Sequence, residues 1–110
     1  MAALAAALAF AGAGPAAAQT APPRFAPPNL TPAGVRALAA NCAQCHGTEG
    51  RTVVGSQIPS LAGRDRAVLA AQLAAFKQGT ARATVMDHIA KGYSDEELAA
   101  LADYFARLPR

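Results

Sequence analysis

Cys42-Ala43-Gln44-Cys45-His46 decides how the rest of this chain is read. Two thiols at i and i+3 lie on neighbouring faces of one helical turn. From there each can form a thioether to a haem vinyl group, and the histidine directly after the second thiol can reach the iron as proximal axial ligand. Cys42 and Cys45 are the only cysteines, so a structural zinc site is short of ligands. A thioredoxin-like redox pair expects a strand–helix–strand context, and no such pattern flanks the motif. A disulfide between the two would leave His46 without a role. The reading is one covalent haem c, held by Cys42 and Cys45, with His46 on the iron.

Outward from the motif, bulk properties set the scale. The chain has 110 residues, enough for one small domain. Its net charge of +3, from 10 basic and 7 acidic groups, is far from the dense cationic patch of a nucleic-acid binder, and two haem propionates would remove most of it. Alanine dominates and favours helix. Aromatics are 5% with no Trp, so a purely proteinaceous core would be thin; a covalently held porphyrin would serve as an apolar core element.

Residues 1–18 carry no charged side chain, are built of Ala, Leu, Phe and Gly, and end in Ala16-Ala17-Ala18, a small-residue cleavage site. They look like a secretory signal peptide cleaved near Ala18, although no Lys or Arg precedes the apolar run. The competing reading is a retained membrane anchor, against which Gly12, Gly14 and Pro15 interrupt the run. No stable membrane insertion is expected after cleavage. Export to the periplasm fits thioether formation outside the cytoplasm. Residues 19–30, with Pro22, Pro23, Pro27 and Pro28, read as an extended leader, and 31–110 as the haem domain.

Within that domain the punctuation predicts three to four helices and no sheet. Thr31 is a good N-cap and Pro32 suits the first helical position of a helix running into the haem motif and stopping near Gly47, with Gly34, Leu38 and Cys42 on one face. Gly47, Gly50, Gly55, Pro59 and Gly63 mark a loop over 47–63, where Ile58 and Leu61 are expected to face the porphyrin. A proximal histidine usually gives its other ring N–H to a carbonyl, and the candidate here is that of Pro59. A second helix is predicted from Asp65 to Lys77 and a third from Ala81 to Lys91. Ser94 and Glu97 form a capping box for the last helix, whose apolar face is Leu98, Leu101, Tyr104, Phe105 and Leu108.

The other axial position decides what the iron can do. Met86 is the one methionine beyond the signal segment, and a thioether is a soft ligand that favours ferrous iron and raises the potential. The plain alternative is a flexible core filler. His88 is the rival ligand, but it lies two positions on, roughly 200° around a helix, so both cannot aim at the iron. An open site would point instead to a peroxidase or a gas sensor.

With Cys42, Cys45, His46, the Pro59 loop, Met86 and a capped last helix assembled, the chain resembles the class I cytochromes c over about residues 30–108. The resemblance implies an all-α fold packed around one covalently attached haem. It also implies that the first and last helices cross at Gly34 and Leu38 against Leu101 and Tyr104, and that Pro59 supplies the carbonyl to the proximal histidine. The usual glycine before that proline is Ile58 here. Ile58-Pro59-Ser60-Leu61-Ala62-Gly63, Phe76-Lys77-Gln78-Gly79 and the run from Thr84 to Glu97 look like the cytochrome subunit of flavocytochrome c sulfide dehydrogenases and the related c4 and c553 carriers.

The resemblance further implies an electron-transfer protein rather than an enzyme. By the same resemblance its electron donor is an FAD-containing flavoprotein subunit that oxidises sulfide, and its acceptor a soluble redox partner. The alternative is a free-standing c553/c4-type carrier. Arg64, Arg66, Lys77, Arg82, Lys91 and Arg107 are the expected docking charges, set against an ordinary solvated surface.

Overall fold

The computed structural model describes residues 30–110. The expected signal peptide over 1–18 lies outside these residues, as does the leader apart from residue 30. The domain is all-α, with four helices: α1 (Pro32–His46), α2 (Arg66–Gln78), α3 (Met86–Ala90) and α4 (Asp95–Arg107). No strand occurs among the described residues.

Each long helix starts where a side chain satisfies an otherwise orphaned backbone N–H. Thr31 Oγ1 accepts from the Gly34 N–H at 3.2 Å, with Pro32 in the first turn. Asp65 Oδ1 accepts from Val68 N–H at 2.9 Å. At α4 the capping box is complete: Glu97 N–H donates to Ser94 Oγ at 3.1 Å and Ser94 N–H donates to Glu97 Oε2 at 2.8 Å. Glu97 lies four residues before Leu101 on the apolar face, and it is buried there with its carboxylate satisfied. Gly79 ends α2 in a left-handed conformation (φ 76°), its N–H reaching back to the last turn.

The third helix is much shorter than the predicted Ala81–Lys91 span, five residues instead of eleven. Thr80 and Ala81 instead fold their N–H groups back onto the Ala75 carbonyl at 3.0 and 3.3 Å, which wraps the chain around the end of α2. Thr84 and Val85 follow, β-branched residues that resist helix, and Val85 enters α3 with φ −142° and no side-chain cap.

The core is one cluster of Ala39, Leu69, Leu98, Leu101, Ala102 and Phe105, with Tyr104 and Leu108 at its edge. The helix α4 packs on both α2 and α1. The helices α2 and α4 run antiparallel, with an ion pair at each end: Arg66 Nε lies 3.3 Å from Asp103 near the end of α4, and Lys77 Nζ lies 2.7 Å from Asp95 at its start. Arg107 also pairs with Asp103. Three of the cations expected for docking are thus engaged within the domain.

The expected face of α1 meets the core, with Leu38 and Cys42 packing against it, and the stripe beside it does so more deeply. Val35 and Ala39 are buried, whereas Gly34, Leu38 and Cys42 are half-buried. Ala39 belongs to the same cluster as Leu101 and Phe105, and Leu38 and Tyr104 pack against it.

Candidate functional site

The end of α1, the 47–64 segment, α2 and the stretch from 83 to 93 enclose a cavity of about 610 Å³. That size suits a whole prosthetic group or drug-sized ligand, for which about 300–1,000 Å³ is usual. Cys42, Cys45 and His46 enter it from the last turn of α1. Ile58, Pro59 and Leu61 also line it, and Met86 comes from the first turn of α3. All seven residues singled out in the sequence therefore border one space.

His46 is buried, and its Nδ1 lies 2.7 Å from the Pro59 carbonyl oxygen. A carbonyl can only accept, so Nδ1 carries the proton and donates it. The lone pair is then on Nε2, the nitrogen available to a metal. Cys45 is exposed, whereas burial pushes the Cys42 thiol above its ordinary range. Ile58, 39% exposed, stands at the mouth. Gly47 closes α1 directly after His46 with φ 80°, its N–H donating to Ala43 O at 3.1 Å, which turns the chain away from the cavity.

Met86 is half-buried against the cavity. His88 is not among the lining residues; its side chain is 78% exposed and its Nδ1 lies 3.0 Å from Asp87 Oδ1. The hydrogen bond from His88 holds the Asp87 carboxyl below the usual carboxylate range.

Several lining residues escape a reading by motif. Asn41 Nδ2 donates to Tyr93 Oη at 3.4 Å, joining α1 to the turn before α4 at the cavity rim. No spacing rule links positions so far apart, though an aromatic hydroxyl beside a helix cap is a candidate rim residue. Arg64, expected as a docking charge, also lines the cavity.

The residues present fit a haem. Among the described residues no group of three or more His, Cys, Asp or Glu could hold a bare metal ion. One imidazole and one thioether on a largely apolar wall instead suit an iron that brings its own four nitrogens. Two thiols line the same cavity, at the sequence spacing that thioether attachment requires.

Comparison with known proteins agrees. The family described as "Cytochrome C oxidase, cbb3-type, subunit III" matches residues 29–105. The chain is 38% identical, over 101 residues, to the cytochrome subunit of sulfide dehydrogenase from Chlorobaculum tepidum, covering 92% of this chain and 84% of that one. It is 44% identical, over 70 residues, to a thiosulfate dehydrogenase electron acceptor from Stutzerimonas stutzeri, covering 61% of this chain but 32% of the relative. Among solved structures, the thiosulfate dehydrogenase (TsdBA) from Marichromatium purpuratum, in its "as isolated" form, superposes with a TM-score of 0.64 at 32% identity over 87% of this chain and 22% of that one. The chain thus spans about a third or less of the two thiosulfate dehydrogenase relatives.

Proposed function

The chain belongs to the c-type cytochromes, with one covalent haem c as cofactor, and from this premise we propose that it is a periplasmic mono-haem carrier relaying single electrons. When bound, the haem supplies a one-electron couple between ferric and ferrous iron. Cys42 and Cys45 hold it through thioethers, so it is not lost by dilution after export. His46, through Nε2, and Met86, through its sulfur, are the residues that would hold the iron. Held by both, the iron would supply electron transfer and leave no position for a substrate.

The Pro59 carbonyl keeps the His46 ring in one orientation and, by drawing on Nδ1–H, makes Nε2 a stronger donor. Ile58 and Leu61 shed water from the wall they form, which holds the local dielectric low. The observation that carries this reading is the convergence of Cys42, Cys45, His46 and Met86 on one cavity, with Nδ1 already committed to a carbonyl at 2.7 Å.

The finer reading places the protein as the haem subunit of a sulfide-oxidising, FAD-containing flavoprotein, from which it takes electrons and hands them to a soluble partner. The match over 84% of the Chlorobaculum sulfide dehydrogenase subunit supports it. A second reading, a free-standing c553/c4-type carrier, is supported by the relative named for accepting electrons from a thiosulfate dehydrogenase. Residues 1–18 would be removed as a signal peptide; no helix among the described residues is long and apolar enough to cross a membrane.

Purification from the periplasm under gentle conditions separates the readings. Haem bands that survive acid–acetone extraction, with a bleachable flavin, a larger second chain and haem reduction by sulfide, establish the flavoprotein assignment. Haem bands from a single small chain establish the free carrier. A tight, fast carbon monoxide complex of the reduced protein would overturn Met86 ligation and revive an enzyme or sensor.

A further inference from the structure

One backbone carbonyl behind the cavity wall receives more donors than any motif would suggest. Gly50 O accepts the Leu61 N–H at 2.7 Å, the Ala62 N–H at 3.1 Å and the Ser60 hydroxyl at 2.7 Å. These residues directly follow Pro59, whose carbonyl receives the His46 proton. Pro59 has no N–H of its own with which to anchor itself, and residues 53–58 before it are exposed. The orientation of the Pro59–Ser60 peptide is therefore set from its Ser60 side.

Gly50 is itself immobile. It is buried with φ 75°, its N–H donates to Gly47 O at 2.9 Å, and the space a Cβ would need is filled by Phe105 Cδ1 at 2.8 Å and Leu61 Cβ at 3.1 Å. A fixed acceptor thus grips the residue that carries the other half of the Pro59 peptide. Leu61 and Ala62 hold the chain by their backbone, which any residue could do. Ser60 adds a side-chain bond, and only a hydroxyl supplies it.

We propose that Ser60 is a positioning residue for the redox centre: through its hydroxyl bond to Gly50 it holds the Pro59 carbonyl against His46 Nδ1 and so tunes the basicity of the iron-binding nitrogen. The proposal rests on His46 being the proximal ligand. Loosening the grip weakens the Nδ1–H···O bond, makes Nε2 a poorer donor, favours ferrous iron and raises the midpoint potential.

The test compares the full-length haem-loaded protein with Ser60→Ala and Ser60→Thr. The readouts are the midpoint potential, the exchange rate and hyperfine shift of the His46 Nδ1 proton by NMR, and the thermal midpoint. The expected result is a higher potential and faster Nδ1–H exchange in Ser60→Ala, with both restored in Ser60→Thr whatever the melting temperatures do. Wild-type potential and exchange in Ser60→Ala overturn the proposal. So does a shift as large in Ser60→Thr, which would make packing, rather than the hydroxyl, the cause. A wild-type protein whose Nδ1 proton shows no hyperfine shift removes His46 from the iron and overturns the underlying reading together with this one, a result distinct from the other two.

Discussion

Phe105, buried near the end of α4, occupies the space into which a side chain on Gly50 would grow. The last helix therefore reaches through Gly50 to the loop that faces His46. Phe105 O also accepts the Gly63 N–H at 2.9 Å, so the same residue clamps the loop at a second point.

Gly50→Ala should be among the most damaging single changes in the domain. A left-handed backbone costs a non-glycine residue about 1–2 kcal/mol. Crowding against Phe105 and Leu61 adds about 1–3 kcal/mol. Denaturant unfolding of the haem-loaded variant should show a loss of at least about 2 kcal/mol; a loss under about 1 kcal/mol would mean the loop yields freely.

If Met86 is the soft ligand proposed above, Met86→Ala should lower the midpoint potential and open the reduced protein to carbon monoxide. Potentiometric titration and gas-binding spectra check this. An unchanged potential and spectrum would return Met86 to the role of a core filler.

The capping box can be dissected by Ser94→Ala, Glu97→Ala and their combination. Losing the Ser94 cap should cost about 1 kcal/mol. The double variant should lose less than the sum of the singles, since the two bonds are reciprocal. Full additivity in urea unfolding would show that they act independently.

Asp87 provides a pH signature. Its carboxyl titrates below the ordinary range because of the hydrogen bond from His88. A depressed folded-state value stabilises the fold above the ordinary carboxylate pKa of about 4, and that contribution fades as pH falls through the lowered value. His88→Ala should raise the Asp87 pKa toward its ordinary value in an NMR titration, leaving the haem spectrum unchanged.

The parts of this fold that sequence made legible are those governed by local rules. Asp65 and Gly79 bracket α2, Ser94 and Glu97 start α4, and α1 begins at Thr31, each within a residue of expectation. Local rules failed where the outcome depends on distant contacts. The 81–85 stretch carries no Gly or Pro, yet Thr80 and Ala81 fold back onto Ala75, the β-branched Thr84 and Val85 follow, and α3 starts late. The inner face of α1 is wider than the Gly34, Leu38 and Cys42 stripe, since Val35 and Ala39 are buried beside it, and 3.6-residue periodicity alone does not say how far a buried face extends. The grip of Gly50 on residues 60–62 was invisible because it joins two irregular segments, where no periodic pattern exists. Cys42, Cys45 and His46 could be read together because their chemistry demands adjacency, whereas Asn41 and Tyr93 meet only through the fold.

His46 and Met86 stand forty residues apart in the chain, with the whole of α2 between them. Bonds from both to one iron would close that span as a cross-link does, and a loop of this length is worth about 4 kcal/mol on the same entropy scale as a disulfide. A thermodynamic cycle then joins two properties usually measured apart. If Met86 holds ferrous iron more tightly than ferric, the folded protein has a higher potential than the unfolded one, and the reduced fold is more stable by the same free energy. Each electron the carrier accepts would tighten its own fold, and each one it gives away would loosen it.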